Sequence, residues 1–352
     1  MRLKGLPAKD KKMREDFSKK NSLNKEEEII ENTLRPKSWN DYIGQEKVKT
    51  NLRVIIEAAK KRGEVGCEHL LFYGGSGLGK TTLASIAAKE LGGNFRITSG
   101  TAIKKTGDLA AILSNLNPGD ILFIDEIHRL NKLIEEFLYQ AVEDFKIHLV
   151  LGKGLMARTM EINLPRFTLM GATTRIALVS SPLRARFGAT FQLNYYLQED
   201  LEKIIKRSAS LLQITIDNEA VKQIAIASRF TPRVANRLLK RVRDFVQVKG
   251  NKNHISNKDV EKALGFLEVD GMGLESGDRK ILEVLIEKFG GGPVGLKSLA
   301  AATNEEEDTI LEIYEPYLLR LGFLQRTPKG RIVSSSAYKH LNKKDKNAKK
   351  LL

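Results

Sequence analysis

Between Leu34 and Leu193 short apolar runs alternate with stretches of helical patterning. The runs Leu70–Tyr73, Phe95–Thr98, Ile121–Ile124, Thr168–Ala172 and Thr190–Leu193 have the length and composition of buried strands. The segment Thr81–Leu91 is helix-like and stops at Gly92-Gly93. Strand and helix in alternation predict an α/β fold with a parallel sheet over residues 34–193. Over 194–267 the pattern becomes helical throughout: Leu201, Ile204, Ile205 and Ser208 share one face, and Val221, Ile224, Ala225 and Ala227 suggest another. The Gly-rich, polar stretch Asp270–Asp278 reads as a linker. From Arg279 onward come helix-like runs, then Gly290-Gly291-Gly292-Pro293, then further helix. A Thr327-Pro328-Lys329-Gly330 turn between extended segments follows. Helices followed by a basic hairpin predict a small winged helix over 268–338. Residues 1–33 are a basic tail expected to be disordered, residues 339–352 a second Lys-rich tail, and no internal repeat is evident.

The segment Gly74–Thr81, Gly-Gly-Ser-Gly-Leu-Gly-Lys-Thr, lies between the first strand and its helix and fits G-x-x-x-x-G-K-[ST]. Glycines let backbone N–H groups line a concave anion site, and the following helix turns its positive end toward the same anion. In that setting Lys80 reaches the β- and γ-phosphates of a nucleoside triphosphate, and the Thr81 hydroxyl ligates Mg²⁺. The loop alone does not separate ATP from GTP.

Composition narrows the class less than it first suggests. The formal charge of +16 invites a nucleic-acid partner, but residues 1–25 contribute +6 of it and residues 339–352 a further +5. Such tails are ordinarily solvated segments, although they can add salt-dependent affinity for phosphates. Cys67 is the only cysteine, which excludes an internal disulfide and a Cys-based metal cluster. No signal peptide and no bilayer-spanning apolar run is visible, so a soluble, cytoplasmic protein without membrane contact is expected.

The apolar strand Ile121–Ile124 leads into Asp125-Glu126, about forty-five residues beyond the phosphate loop. Carboxylates at the carboxyl end of a strand fall where ligands bind in open α/β sheets. Asp125 suits water-mediated Mg²⁺ binding, and Glu126 suits the general base that polarises the attacking water. Thr173-Thr174-Arg175 follows another strand, and a hydroxyl there can meet the γ-phosphate or the lytic water; an ordinary Thr-rich strand end fits those residues equally well. Ser181–Gly188 presents Arg184 and Arg186 in a loop before a strand. An arginine inserted from a neighbouring molecule stabilises charge on a transferring phosphoryl group. Arg233 begins a helix just after Pro232, an electrostatically unfavourable place for a cation that a phosphate partner would explain.

These elements, in this order and spacing, resemble the AAA+ ATPases. Within them the chain is similar to the RuvB family of bacterial Holliday-junction branch-migration motors. The resemblance covers about Leu34 to Tyr338 and rests on several segments: Leu34-Arg35-Pro36-Lys37, Tyr42-Ile43-Gly44-Gln45, Asp125-Glu126-Ile127-His128-Arg129-Leu130, Gly171-Ala172-Thr173-Thr174-Arg175, Thr231–Leu239 and Phe323–Pro328. It implies an α/β AAA+ P-loop ATPase domain with a parallel sheet, a helical lid domain and a C-terminal winged-helix domain. It further implies that Leu34, Arg35, Tyr42 and Ile43 line the adenine pocket, and that Gly77, Gly79, Lys80, Thr81 and Thr82 hold the phosphates and Mg²⁺. By the same resemblance Thr174 is the first sensor, Arg184 the finger given to the adjacent subunit, and Arg233 the second sensor. Arg186 and Tyr196 contact nucleotide in or near the lid, and Glu143, Asp144 and Phe145 lie near it.

The chain departs from the family pattern twice. Gly75-Ser76 stands where the family usually has Pro-Pro, and Phe230 where it often has Gly.

Residues 146–163 read as a hairpin insertion, with Ile147–Leu151 and Met156–Ile162 about a Gly152-Lys153-Gly154 turn. Similar proteins dock the junction-recognising RuvA there, which makes Leu149, Leu151, Leu155 and Met156 the candidates for an exposed apolar site. Packing within the domain is the plainer use of such residues. At the other end, residues 269–338 carry a net −3, but Arg320, Arg326, Lys329 and Arg331 gather in an acid-free last part. Arg326 and Arg331 flank the turn and match the family's DNA-contacting arginines. Without an aromatic ladder or a dense base-reading set, backbone binding of duplex DNA without sequence preference is expected.

The expected activity is therefore ATP hydrolysis by a homo-hexameric ring that pulls duplex DNA and migrates Holliday junctions, with ATP and Mg²⁺, a RuvA-like partner and a RuvC-like resolvase. A clamp-loader-type AAA+ subunit and an ATP-switched DNA-binding scaffold are the rival readings. The hairpin and winged helix count against the first, Glu126 and Arg184 against the second.

Overall fold

The apolar runs of the first half become strands. In the computed structural model, which describes residues 31–151, 158–250 and 253–344, β1 (Leu70–Tyr73), β2 (Phe95–Ser99), β3 (Ile121–Asp125), β6 (Thr168–Thr173) and β7 (Ala189–Gln192) form one sheet. Its order is β2-β3-β6-β1-β7 and every pairing is parallel. The inner strands β1, β3 and β6 are buried almost throughout, as expected of strands covered on both faces. The outer strands are mixed: Ile97 of β2 is exposed, and β7 buries only Phe191. Phe72 stacks on Phe191 and Phe123 tilts against Phe95, so aromatic pairs tie inner to outer strands.

Helices α1 (Glu46–Lys61), α2 (Lys80–Leu91), α3 (Thr106–Ser114) and α4 (Lys132–Asp144) fall between or beside these strands. Asn131 caps α4, its side-chain oxygen accepting from the Ile134 N–H at 3.0 Å. The buried face of α4, with Ile134, Leu138, Ala141 and Val142, joins a core that includes Leu122, Ile124, Leu169 and Phe187. Each large side chain fully buried there contributes roughly 1.5–3 kcal/mol relative to exposure.

The insertion is a hairpin, as expected: β4 (Lys146–Leu151) pairs antiparallel with β5 (Arg158–Asn163), Lys146 opposite Asn163. The turn expected at Gly152-Lys153-Gly154, and with it Leu155 and Met156, lies outside the described residues, as do most of the two tails. The short helix α5 (Ser181–Ala185) is capped by Ser180 and precedes β7. Helix α6 (Gln198–Leu211) follows β7.

The chain divides into two units. The first runs through Leu211 and includes Thr231–Asn236; the second holds Leu212–Phe230 and Arg237 onward. The second begins with β8 (Thr215–Ile216) and α7 (Asn218–Ala227), and it takes up α8 (Pro232–Gly250) from Arg237 onward. Strand β9 (His254–Ile255) pairs with β8, and a Ser256–Asp259 capping box starts α9 (Asn257–Phe266).

The rest of this unit is α10 (Ser276–Phe289), α11 (Leu296–Thr303), a π-helical turn Ile310–Tyr314, α12 (Glu315–Arg320), the hairpin β10 (Leu324–Thr327) and β11 (Gly330–Val333), and α13 (Ser335–His340). Thr327 opposes Gly330 in the register, leaving Pro328-Lys329 as a two-residue turn. Val294 bridges to Arg331 and extends the hairpin by a third segment. The core beneath is built by Ile281, Leu285, Leu299, Leu318, Phe323 and Val333 among others.

Candidate active site and nucleic-acid interface

Strands β1, β3 and β6 end at one edge of the sheet, and the chain carries the phosphate loop, Asp125-Glu126 and Thr173-Thr174 there. The loop is anchored by the Gly74 N–H donating to the Thr173 carbonyl at 3.2 Å. Gly77 and Gly79 have φ of +77° and +95°, conformations that an L side chain rarely adopts. A Cβ on Gly79 would also meet the Tyr42 hydroxyl at 2.7 Å, and one on Gly77 would press on the Arg233 Cβ at 3.0 Å. Lys80, buried, curls back to donate to the Gly74 and Gly75 carbonyls at 2.9 Å each. Burial pulls its ammonium below the ordinary lysine value, while Glu126 and Asp125 act against that pull.

The Thr81 hydroxyl lies 3.4 Å from an Asp125 carboxylate oxygen. A hydroxyl and a carboxylate together are hard oxygen donors of the kind Mg²⁺ takes alongside phosphate and water. Thr82 is half-buried in the first turn of α2. Glu126 has a left-handed φ of 46°. Its Oε2 accepts from the Thr174 N–H and hydroxyl, both at 3.1 Å, and lies 3.1 Å from His128 Nδ1. The same His128 nitrogen is 2.9 Å from the Thr173 hydroxyl. His128 is almost wholly buried, and its place in the Asp125–Leu130 motif gives it no role by itself; only the fold shows it beside Glu126.

Beside the loop, Leu34 and Tyr42 are buried, Ile43 is half-buried and Arg35 is exposed. The Tyr42 and Tyr196 hydroxyls both donate to the Leu78 carbonyl at 3.4 Å. Burial pushes both phenols up, Tyr196 to about 12 and Tyr42 well above its ordinary value. Both are therefore neutral donors at physiological pH. Arg233 Nη1 reaches the Ser76 hydroxyl at 3.5 Å, so the second unusual loop residue faces the expected sensor. A Cβ on the other one, Gly75, would touch the Tyr195 hydroxyl at 3.1 Å.

A second group forms on α4 and α5. Arg184 is exposed on α5, and Arg186, just beyond it, pairs with Glu143 at 2.5 Å. Asp144 is exposed, while Phe145 turns inward against His69 and Phe167. Arg186 and Glu143 thus meet each other here, and Phe145 serves the core.

The hairpin face grades from core to surface. Ile147, opposite Ile162, is buried; Leu149, opposite Met160, is half-buried against the core; Met160 is exposed. Leu149 is therefore less open than expected of a docking residue, because the base of the hairpin packs on the sheet domain. Met160 is an exposed apolar residue that the sequence pattern does not single out. Leu151 ends β4.

In the second unit, Arg326 of β10 and Arg331 of β11 are cross-strand partners. The acid-free patch expected there does not form, because Glu315 of α12 brings a fully buried carboxylate onto both arginines. Arg326 remains 54% exposed and Arg331 only 13%. Phe230, the other departure, has φ 57°, the region that favours the Gly common there. Its ring is held between Tyr317, at 6.1 Å, and the Arg320 guanidinium, at 4.6 Å.

Comparison with known proteins accounts for this arrangement. Residues 34–193 match the model of the Holliday junction DNA helicase RuvB P-loop domain, 196–270 that of the RuvB AAA lid domain, and 271–342 that of the RuvB C-terminal winged helix domain. The chain belongs to the RuvB family. The Holliday junction branch migration complex subunit RuvB of Dehalococcoides mccartyi is 55% identical over 321 residues, covering 90% of this chain and 91% of that protein. The protein of the same name from Clostridium kluyveri is 56% identical over 318 residues, 90% of each chain. Among solved structures, the Thermotoga maritima RuvB Holliday junction branch migration motor superposes with a TM-score of 0.81 at 52% identity, covering 89% of this chain and 99% of that one. An AAA+ ATPase that binds nucleotide follows from this membership. Among the described residues no helix is long and apolar enough to cross a membrane.

Proposed function

We propose that this chain is an ATP-driven DNA motor that migrates Holliday junctions in recombination and repair. The observation that carries the proposal is the convergence of Lys80, Thr81, Asp125, Glu126, Thr174 and Arg233 on one loop and sheet edge, in a chain matched by RuvB domains from 34 to 342. The large AAA+ domain spans 34–193, the lid 194–267 and the winged helix 268–338.

Leu34, Arg35, Tyr42, Ile43 and Tyr196 form the adenine side of the site. Gly77, Gly79, Lys80 and Thr82 bind the phosphates, with Arg233 as the lid's sensor. Thr81 and Asp125 would hold Mg²⁺, which when bound would supply charge neutralisation at the phosphates. Glu126 takes the proton of the attacking water, and Thr174 orients it. The contacts to Thr174 and His128 all fall on Oε2 and hold the carboxylate, while Oε1 can face the water.

Arg184 completes the site of an adjacent subunit, and the active form is a homo-hexameric ring; Arg186 contacts nucleotide, and the Glu143–Phe145 segment lies near it. The ring grips duplex DNA through the wing, Arg326 foremost. The hairpin, through Leu149, Leu151, Leu155, Met156 and also Met160, docks a RuvA-like junction-binding protein. A RuvC-like resolvase acts on the same junction, in the cytoplasm.

The clamp-loader and switched-scaffold readings are not favoured, because the relatives are branch-migration proteins and the C-terminal match is to the RuvB winged helix. The testing experiment is ATP-dependent migration of a four-way junction with and without the RuvA-like partner. A Glu126→Gln protein that migrates junctions at the parent rate would refute the assigned chemistry.

A further inference from the structure

The wing carries an acid that its DNA-binding role does not call for. Glu315 is fully buried, and each of its oxygens serves both arginines. Oε1 accepts from Arg326 Nε at 3.0 Å and Arg331 Nε at 3.2 Å; Oε2 accepts from Arg331 Nη2 at 3.2 Å and lies in ion-pair contact with Arg326 Nη2 at 2.9 Å. One carboxylate therefore takes the Arg331 guanidinium as a two-bond fork, a strong and geometrically specific form of hydrogen bonding, and holds Arg326 by one hydrogen bond and a close ion-pair contact. Like charges opposite each other across two strands repel, and Arg326 and Arg331 are such a pair. The carboxylate between them removes that conflict.

Helix α12 has an unusual entry. The π-helical turn Ile310–Tyr314 immediately precedes Glu315, and Pro316 follows it. A π-turn shifts the facing of the residues after it, and such turns recur at functional sites. Here the residue presented to the hairpin is Glu315. Burial would raise its carboxyl, but the two arginines outweigh this and hold it below the usual carboxylate range.

The arginines differ in what remains for DNA. Each guanidinium has five N–H donors; Glu315 takes two from Arg331 and one from Arg326. Arg331, nearly buried, is a counter-ion; Arg326, more than half exposed, keeps its outward donors for a further partner.

We infer that Glu315 is a positioning residue for DNA, using Arg331 as its buried counter-ion to hold Arg326 as the wing's outward phosphate ligand. This rests on the DNA-gripping role of the wing proposed above.

The test exploits sign. If Glu315 is only an acid near DNA, neutralising it adds a positive charge and tightens binding. If it positions Arg326, neutralising it weakens binding despite the added charge. Full-length protein is titrated against a fixed-length duplex by fluorescence anisotropy over a range of salt concentrations. Glu315→Gln is expected to bind about tenfold more weakly, with a salt slope shallower by about one. Glu307→Gln, at an exposed acid of the same domain, makes the same charge change and should bind as tightly as the parent or slightly tighter.

Glu315→Asp keeps the charge and shortens the arm, so its loss of affinity is positional; it carries the test if Glu315→Gln fails to fold. Unchanged or tighter binding by either folded Glu315 variant overturns the inference. Arg326→Ala separates the two claims. If it leaves affinity and slope unchanged, the wing's DNA role fails. If it weakens binding while the Glu315 variants do not, only the positioning role fails.

Discussion

At the phosphate loop, Lys80 lies in the field of Asp125 and Glu126; at the wing, Arg326 and Arg331 share Glu315. Both regions set basic groups against buried or half-buried acids, and the acids differ in what they leave undone. Asp125 and Glu126 stand at strand ends with oxygen capacity for metal and water. Glu315 is fully buried, with both oxygens engaged by the two arginines through three hydrogen bonds and an ion-pair contact, which leaves it closed to a ligand. The same pairing is reactive where the acid keeps open valence and structural where it does not.

The largest effect is expected where the site is incomplete within one chain. Arg184→Ala should lower ATP turnover by about 10³-fold or more. Mixing it with subunits defective only at Lys80 should restore measurable ATPase activity, because each supplies what the other lacks. No recovery in mixed rings would place Arg184 outside a neighbour's site. Next, Glu126→Gln should retain ATP binding, read by fluorescent-nucleotide titration, while turnover falls by about 10²–10⁴-fold. A full rate would deprive the loop acids of their chemical role and erase the contrast with Glu315.

At the wing the effects are smaller. Arg326→Ala should weaken duplex binding by about tenfold and flatten its salt dependence, with ATP affinity unchanged. The smallest effect is on stability against acid. A carboxyl held low in the fold stabilises it above the ordinary glutamate value, and that stabilisation is lost as pH falls through the lowered value. The melting-temperature gap between parent and Glu315→Gln should therefore be widest near neutrality and narrow as pH falls below the ordinary glutamate value. A gap that persists in strong acid would assign the variant's defect to packing.

How much of this is legible in the sequence depends on how local each feature is. The loop is contiguous, and the five strands stand out as apolar runs. Three of them extend one residue further than the apolar pattern, to Ser99, Asp125 and Thr173, because the hydrogen-bond ladder continues through polar residues at the ligand edge. Thr174 can be named as a sensor by resemblance, but its hold on Glu126, 48 residues away, is set by the adjacency of β3 and β6. Glu315 is, in the sequence, one acid among many in the C-terminal domain. Nothing in its spacing shows that it will be buried against the hairpin. Leu149 belongs to a hairpin that the sequence makes plain, but its half-burial depends on the packing of that hairpin's base. Phe230 stands out as a departure, and the fold adds the reason it matters: a left-handed backbone carrying a packed aromatic ring.

The most direct measurement is the rate of four-way-junction migration by the full chain with ATP and Mg²⁺, run with and without the RuvA-like partner. ATP-dependent migration that the partner stimulates, and that Glu126→Gln abolishes, is the predicted result. Robust ATPase activity with no migration under any partner condition would contradict the account.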